Sequence, residues 1–321
     1  MSYTIIVLDG AYPTSVAVTL DMLAAAQALG GASGLRFEVC SIDGGDVPLS
    51  PRIRIATTRL RTRARGDRST WIIPGLGVTR ADAVRARLAR PDVVTLSAAI
   101  TRHLARGGRV AASCTAVFVL QQAGALHGRR ATTTWWLGGL LAELDPRCEV
   151  DTHAMVCADG PVVTAGAAFA QTDLMLHLLR ERCGARLTDL VARTMLLDGR
   201  QAQARYVVPE LLANGDALVA RITSQIAANL PAPPSVAELA AILGMTERTL
   251  SRHVRRVTGQ STIALVHSVK AQRAQALLQS TRLSVEEVAA AVGYQDAGTL
   301  RRLLKKLGAG APGSYRSRNA A

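Results

Sequence analysis

The chain has 321 residues, enough for two domains of ordinary size, and 49% of its residues are hydrophobic, so each domain can bury a core. Its formal net charge of +14 favours a polyanionic partner such as nucleic acid, although a basic surface can also serve solubility. No apolar run approaches the roughly 18 residues that span a bilayer, and the amino terminus lacks the pattern of a signal peptide, so we expect a cytoplasmic protein with no membrane partner.

Strand and helix patterns alternate through the first part of the chain. Short apolar runs rich in β-branched residues predict strands at 4–9, 37–43, 71–75 and 109–114. Helical periodicity predicts helices at 15–29, 91–108, 115–126, 135–144 and 169–184. The basic stretch 47–68 and residues 155–166 resemble hairpins. Strands separated by helices favour an α/β domain, in which a parallel sheet has helices on both faces.

After Leu187 the patterns predict helices only. The segment 196–216 is polar and interrupted by Pro209 and Gly215, which is typical of a linker. We therefore predict an N-terminal domain at 1–190, a linker at 191–216 and an all-α C-terminal domain at 217–321. Residues 216–321 hold 14 Lys and Arg against 6 Asp and Glu, so the excess of positive charge is densest there.

The sequence SVAELAAILGMTERTLSRHVRRVTG, residues 235–259, predicts two short helices joined by a tight turn. Ser235 and Glu238 form a capping box, Gly244 supplies the left-handed residue of the turn, and Thr246 caps the second helix. The first helix has a small apolar face: Ala237, Leu239, Ala240, Ile242 and Leu243. The second helix points an apolar stripe inward (Leu250, Val254, Val257) and polar or basic residues outward (Arg248, Ser251, Arg252, Arg255). Such a pair suits reading of a DNA groove.

The same pattern returns 49 residues later in SVEEVAAAVGYQDAGTLRRLLKKLG, residues 284–308. Gly293 marks the turn, and the inward stripe of the second helix is Leu300, Leu303, Leu304 and Leu307. Its outward face carries Thr299, Arg301, Arg302, Lys305 and Lys306. A helix predicted at 263–279 joins the two copies. Helix pairs that only bury each other are common in all-α proteins, but two in tandem with basic second helices favour nucleic-acid binding.

Residues from about 216 to the carboxyl terminus resemble the DNA-binding domain of the AraC family of bacterial transcription regulators. The second copy matches best, through the closing Pro-x-x-Tyr-Arg at 312–316, and departs from the pattern at Leu300 and Leu304, where aromatic residues are usual. The resemblance implies that both second helices enter successive major-groove segments of promoter DNA, and that the protein acts as a homodimer. On the basis of this resemblance, the candidates for contact with a base or a phosphate are Arg248, Ser251, Arg252, Arg255, Thr299 and Arg302.

The N-terminal part resembles the class I glutamine amidotransferase-like superfamily, and more narrowly the PfpI-type sensor domain of some AraC-type regulators. The match rests on TIIVLDG, WIIPG, RVAASCTAVFVLQQAGALHGRRATTTWW and VVTAGAAFAQTDLMLHLL. It implies a flavodoxin-like fold. In the enzymes of this superfamily a cysteine stands at a sharp strand-to-helix turn, beside a histidine base and an acidic residue of the first helix. Here the cysteine is Cys114.

The partners that would activate this thiol are missing from the sequence. Thr115 follows the cysteine where a histidine could stand, and Thr134 precedes the tryptophan pair where regulator relatives commonly have histidine. The resemblance aligns the first-helix acid with Ser15, while Asp21 lies about two turns further on. His103 and His127 fall at helix ends, where we expect them to be exposed. Because a thiol needs a base or positive surroundings to become a nucleophile, catalysis is disfavoured. A structural cysteine, a ligand contact and a redox sensor remain alternatives.

The carboxyl ends of the predicted strands converge on one crevice, where we expect a ligand pocket. We expect free amides of Cys114 and Thr115 at the start of a helix, which suit an anionic group, and an aromatic face suits a cationic one. We expect one of Trp135 and Trp136 to be buried and the other to face the pocket. The predicted lining is Gly10, Gly75, Leu76, Cys114, Thr115 and Trp135.

The sequence thus predicts a regulator that binds DNA and responds to a small-molecule effector of unknown identity. A cysteine-dependent hydrolase or deglycase with Cys114 as nucleophile is the alternative, and an N-terminal domain that only dimerises is a third interpretation. The five scattered cysteines form no CxxC pair, so we expect no metal site, no disulfide framework and no cofactor.

Overall fold

The structure, a computed structural model, describes residues 2–30, 34–61, 67–200, 202–203, 206–307 and 312–315. The chain divides into two compact units. The first comprises Met1–Thr134 and Leu144–Gln201, and the second comprises Trp135–Glu143 and Ala202–Ala321. The sequence pattern gave no sign that a segment from the middle of the predicted N-terminal domain packs with the C-terminal helices. The closing residues Arg316–Ala321, including the end of the Pro-x-x-Tyr-Arg motif, lie outside the described residues.

The first unit is built on a mostly parallel sheet, as predicted. Its strand order is β3-β4-β2-β1-β5-β6-β10-β9, and only the pairs β3–β4 and β9–β10 are antiparallel. These are the two hairpins that the sequence indicated. The strands are β1 (Ser2–Ile6), β2 (Arg36–Ser41), β3 (Gly45–Ser50), β4 (Ile53–Arg59), β5 (Thr70–Ile73), β6 (Arg109–Ser113), β9 (Val156–Asp159) and β10 (Val162–Ala165), with β7 (Arg130–Ala131) and β8 (Glu149–Val150) in a separate ladder.

Helices of the first unit cover the sheet. Alternate residues of β1, Tyr3 and Ile5, enter an apolar core that also contains the inner faces of α1 and α6, because side chains of a strand alternate between its two faces. Two other helices, α3 and α4, contact β6. The helices are α1 (Pro13–Gly30), α2 (Ala81–Leu88), α3 (Pro91–Ala105), α4 (Val117–Gln122) and α6 (Ala170–Thr194), the last with a kink at Gly184.

The second unit is all-α, as predicted. It contains two helix-turn-helix pairs, α9–α10 and α12–α13, joined by the long helix α11. One apolar core contains the buried stripe of α10, and another contains the stripe of α13, in which Leu300 and Leu304 are fully buried. The helices are α5 (Gly138–Leu144, of which Leu144 belongs to the first unit), α7 (Pro209–Leu212), α8 (Ala217–Ala228), α9 (Val236–Ile242), α10 (Glu247–Thr258), α11 (Thr262–Ser280), α12 (Val285–Ala291) and α13 (Ala297–Lys306).

Two smaller expectations are wrong. His103 is buried, because its ring stacks on Trp71 with centroids 4.0 Å apart and its Nε2 lies 3.0 Å from the carbonyl oxygen of Ser69. Ile242 is 51% exposed, because α9 ends there and leaves the side chain outside the small apolar face. His127 is exposed, as expected. Among the described residues, no helix has the length and apolar character needed to cross a bilayer.

The burial of His103 predicts a pH-dependent stability of the first unit. Burial lowers the pKa of His103, so the unfolded chain takes up a proton more readily than the folded chain. The free energy of unfolding should therefore fall as the pH drops through about 6.5, the ordinary pKa of histidine. Because Asp67 has a lowered pKa, its contribution should be lost only at more acidic pH, below its ordinary value.

His103→Phe tests this prediction, since a phenyl ring can still stack on Trp71. The variant should lose about 1 kcal/mol at pH 7.5, where the hydrogen bond to Ser69 contributes, and should depend less on pH between 7.5 and 5.5. Urea denaturation followed by circular dichroism measures both. The exposed His153→Phe is the matched control. An unchanged pH dependence in His103→Phe would contradict the assignment.

Candidate nucleic-acid interface and ligand site

The two helix-turn-helix pairs begin with the same hydrogen bonds. In the first, the Glu238 amide donates to Ser235 Oγ at 3.2 Å and the Ser235 amide donates to Glu238 Oε2 at 2.7 Å. In the second, Ser284 and Glu287 make the equivalent bonds at 3.1 and 2.7 Å. Each capping box satisfies amides that a helix start would otherwise leave unpaired. The repeat read from the sequence is therefore a repeat in structure.

The turns between the helices also match. Gly244 and Gly293 have φ of 67° and 78°, in the left-handed region that a Cβ disfavours. The second helices differ in their caps, because Thr246 accepts from the Thr249 amide at 3.2 Å whereas the carboxylate of Asp296 accepts from the Thr299 amide at 2.8 Å. Both arrangements fix the direction in which the second helix leaves the turn.

In the first pair, α10 buries one face and exposes its arginines. Leu250 and Val254 are completely buried, while Arg248, Arg252 and Arg255 are exposed, with no ion-pair partner among the residues that the structure describes. An exposed guanidinium without a carboxylate partner is free to bind phosphate or a guanine edge.

The other side chains of α10 hold the helix in place. Ser251, a predicted contact residue, is half-buried and accepts a hydrogen bond from Thr262 Oγ1 of α11 at 3.4 Å. His253 Nε2 lies 2.9 Å from the carboxylate of Asp216, the N-cap of α8. The structure thus places Ser251 beside the connecting helix, while the arginines face solvent.

In the second pair, the two predicted contact residues lie together on α13. Arg302 donates to Thr299 Oγ1 at 2.9 Å, and Thr299 donates in turn to Asp296 Oδ2 at 2.8 Å. This chain of hydrogen bonds orients the guanidinium of Arg302, which is exposed. The rest of the outward face is also basic and exposed: Arg301, Lys305 and Lys306.

In the first unit, residues Ser113 to Ala116 form the sharp turn between β6 and α4, which we call the elbow. Cys114 has φ of 56°, a left-handed conformation that is unusual for a residue with a Cβ. Its amide donates to the Gly166 carbonyl at 2.6 Å, and its carbonyl accepts from Thr133 Oγ1 at 2.9 Å. The Cys114 amide is therefore not free to bind an anion, contrary to expectation.

The thiol of Cys114 is enclosed. It is 2% exposed, and a Cβ added at Gly75 would lie only 2.8 Å from Cys114 Cβ. Burial raises the pKa of the thiol to about 11, a change that hydrogen bonds from the Thr115 amide and hydroxyl only partly oppose. At neutral pH roughly one thiol in 10⁴ would be ionised. Within the described chain, no histidine or carboxylate is hydrogen-bonded to the sulfur.

Uncharged polar side chains surround the elbow where a catalytic site would need charged ones. Ser15, at the position of the superfamily acid, donates to the Ala168 carbonyl at 3.3 Å, and Gln171 Nε2 donates to Thr19 Oγ1 at 2.7 Å. Three fully buried atoms of this region lack a hydrogen-bond partner in the described chain: Ser113 Oγ, Thr134 Oγ1 and Gln171 Oε1. Buried polar atoms without partners are costly, so they mark a place that suits a bound polar molecule or water.

A cavity of about 530 Å³ opens at the carboxyl edge of the sheet. The loop after β1 holds it together, because the Gly10 amide donates to Pro48 at 2.8 Å and the Tyr12 amide donates to Gly75 at 2.8 Å. Gly10 lines the cavity, and Leu76 accepts a hydrogen bond from Thr115 Oγ1 at 2.7 Å. Of the predicted pocket residues, only Gly10 lines this cavity. Gly75, Leu76, Cys114 and Thr115 lie together at the elbow and the turn after β5.

The sixth predicted pocket residue lies elsewhere. Trp135 is 4% exposed in an apolar core of the second unit, and Trp136 packs against the same core. Neither lines the cavity. Ten of the described residues line the cavity, and Gly10 is the one that sequence reasoning predicted; Tyr12 and Ser50 are among those it missed. Tyr12 lies two residues after Gly10 in the loop that follows β1, so the convergence of strand ends could have indicated it. Ser50 comes from the neighbouring hairpin, whose pairing no local pattern specifies.

Both units resemble known protein families. The family model described as DJ-1/PfpI family matches residues 4–181, and a model described as Helix-turn-helix domain matches residues 239–318. The HTH-type transcriptional regulator GbdR of Pseudomonas aeruginosa is 25% identical over 292 residues, covering 90% of this chain and 77% of that protein. The HTH-type transcriptional regulator GlxA of Rhizobium meliloti is 25% identical over 312 residues, covering 95% and 92%.

A solved structure shares the fold of the first unit. The AraC family transcriptional regulator from Pseudomonas putida superposes with a TM-score of 0.53 and 20% identity, covering 60% of this chain and 98% of that structure. The DJ-1/PfpI match spans more than half of the chain, and the relatives that match nearly its full length are helix-turn-helix regulators. The chain therefore belongs to the DJ-1/PfpI family and carries an AraC-type helix-turn-helix domain at its carboxyl end.

Proposed function

We propose that this protein is a transcription regulator that binds promoter DNA through α10 and α13 and responds to a small-molecule effector bound in its N-terminal domain. The observation that carries the proposal is the duplicated pair of capped helices, each with exposed basic residues on its second helix. Two such helices on one chain suit successive segments of the major groove. We also propose that the regulator acts as a homodimer and that it works in the cytoplasm, where it can reach promoter DNA.

The effector site that we propose is the cavity beside the elbow. Its volume of about 530 Å³ fits a small metabolite, and it combines apolar walls with the phenol of Tyr12 and the carboxylate of Asp9. The unpaired buried hydroxyls of Ser113 and Thr134 lie in the elbow and next to Thr133, which donates a hydrogen bond to the Cys114 carbonyl. Together these features support binding rather than chemistry.

The enzyme alternative requires a reactive Cys114, and the surroundings of the thiol oppose this. A nucleophilic cysteine has a lowered pKa and a nearby base, whereas burial here raises the pKa to about 11 and Thr115 and Ser15 occupy positions that could supply a base and an acid. We therefore propose that the protein is not an enzyme, and that Cys114 shapes the elbow.

Removal of one exposed arginine from each second helix should weaken binding to the promoter. If the side chain reads a base, Arg252→Ala and Arg302→Ala should each weaken the free energy of binding by about 1–3 kcal/mol. If it binds a phosphate, each substitution should reduce the slope of log affinity against log salt concentration by about one. Footprinting and fluorescence anisotropy at several salt concentrations measure both. Arg273→Ala, exposed on the connecting helix α11, is the control. If both variants leave the footprint intact, the reading helices are misplaced.

Replacement of the buried thiol should leave regulation intact. Cys114→Ala should bind promoter DNA with an affinity within a few-fold of the wild-type value, because the thiol contributes packing rather than reactivity. Mass spectrometry after iodoacetamide treatment at pH 7.5 should show slower labelling at Cys114 than at Cys183, which is partly exposed. Hydrolase or deglycase turnover that disappears in Cys114→Ala would support the enzyme alternative.

A thermal-shift screen against amino acids, amines and small carboxylates should identify the effector class. A ligand at one hundred times its dissociation constant stabilises the folded state by about 2.7 kcal/mol, which is easily measured as a rise in Tm. Ser50→Tyr should abolish the shift by filling the cavity, while Ser280→Tyr, exposed on α11, should keep it. If no compound in the screen raises the Tm, an N-terminal domain that only dimerises would be favoured.

A further inference from the structure

The segment Trp135–Glu143 is part of the second unit, although the chain on both sides of it belongs to the first. Both flanks are held at the elbow and its helix. Before the segment, Thr133 Oγ1 donates to the Cys114 carbonyl at 2.9 Å; after it, the Leu144 carbonyl accepts from Gln121 Nε2 of α4 at 3.2 Å. Two peptide bonds, Thr134–Trp135 and Glu143–Leu144, therefore join the surroundings of the elbow to the DNA-binding unit.

Inside the second unit, the start of the segment is part of a tightly packed core. Trp135 and Trp136 meet edge to face, with ring centroids 5.0 Å apart and planes at 79°. They belong to or pack against the core that contains the inward stripe of α10, Leu250 and Val254. Because protein cores are close-packed, two indole rings cannot shift without displacing the side chains of α10.

The next part of the segment touches the end of α10 directly. A Cβ added at Gly139 would lie 2.5 Å from the Val257 carbonyl oxygen and 2.8 Å from the Gly259 amide nitrogen. Gly259 caps α10, and its amide donates to the Arg255 carbonyl at 2.9 Å. Only glycine allows this approach of two backbones, so the position of residue 139 constrains the carboxyl end of the helix that carries Arg252 and Arg255.

We propose that Trp135–Glu143, which we call the coupling segment, transmits the state of the elbow to the first helix-turn-helix pair. An effector that engages Thr134 or shifts Thr133 would move the coupling segment and thereby reposition α10, while α13 makes its own contacts. This inference rests on the proposed function, since it names how the effector site regulates DNA binding. Coupling between binding sites is reciprocal, so DNA bound to α10 must also alter opening of the elbow.

The reciprocity gives a test that needs no effector. The full-length protein is mixed with its footprinted promoter fragment or with a scrambled fragment of equal length, both at saturating concentration. Alkylation of Cys114 by N-ethylmaleimide is followed by mass spectrometry, because the buried thiol reacts only when the elbow opens. We expect the promoter fragment to change the alkylation rate at least threefold relative to the scrambled one.

Glycine variants connect this response to the coupling segment. Gly139→Ala, whose methyl group would press on the backbone of α10, should lose the response even when DNA saturates it. Gly199→Ala, where an added Cβ meets nothing within 4 Å, should respond like the wild type. Should Gly139→Ala fail to fold, Trp135→Phe, which loosens the same core less severely, should show a clearly reduced response.

The outcomes separate this inference from the proposed function. If no fragment is bound in preference to the scrambled DNA, the proposed function fails. If the promoter is bound but the alkylation rate does not change, or changes equally in Gly139→Ala or in the Trp135→Phe substitute, the coupling segment is not the route and the inference is overturned.

Discussion

One hydrogen bond, from the Cys114 amide to the Gly166 carbonyl at 2.6 Å, closes the sharp turn after β6 beside which the candidate effector site lies. It lies just beyond the parallel register of β6 and β10, in which Ser113 pairs with Ala165. The bond holds Cys114 in a left-handed conformation that costs of order 1–3 kcal/mol for a residue other than glycine. The Cys114 carbonyl, Thr133 and the loop at Gly75 are placed by that turn.

The same turn serves catalysis when the thiol is exposed to a base and serves binding when it is not. In this chain Gly75 closes against Cys114, Thr115 directs its hydroxyl to Leu76, and among the described residues no carboxylate is hydrogen-bonded to the sulfur. Desolvation therefore dominates, and the thiol stays protonated. A DJ-1/PfpI fold thus determines where a site lies, whereas the residues around the elbow decide what the site does.

Local patterns were sufficient for much of the molecule. Most strands and helices and both capping boxes follow from periodicity and cap residues within a few positions of one another, so they could be predicted. The short elements α2, β7 and β8 have no counterpart among the predicted ones. The errors concern tertiary partners: nothing near His103 in the sequence indicates that it stacks on Trp71.

The position of Trp135 shows the same limit at larger scale. The residue before it belongs to the first unit, whereas Trp135 and its packing partners belong to the second, and only the folded chain shows to which unit such a residue belongs. Convergence of strand ends predicted the gathering of Gly10, Gly75 and Leu76 because that rule is topological, but the hairpin residue Ser50 depends on a pairing that no rule of this kind specifies.

The two reading helices begin differently, with Thr246 on α10 and Asp296 on α13. Hydrogen bonds from Thr299 lower the pKa of Asp296, which keeps a negative charge on the cap of α13. The cap of α10 is a neutral hydroxyl, and its carboxylate is that of the next residue, Glu247. A phosphate is attracted to the positive end of a helix, and a fixed carboxylate there offsets the attraction. A phosphate that approached the start of α13 would therefore meet a carboxylate fixed by two hydrogen bonds, whereas the carboxylate at the start of α10 lies on an exposed side chain that does not cap the helix.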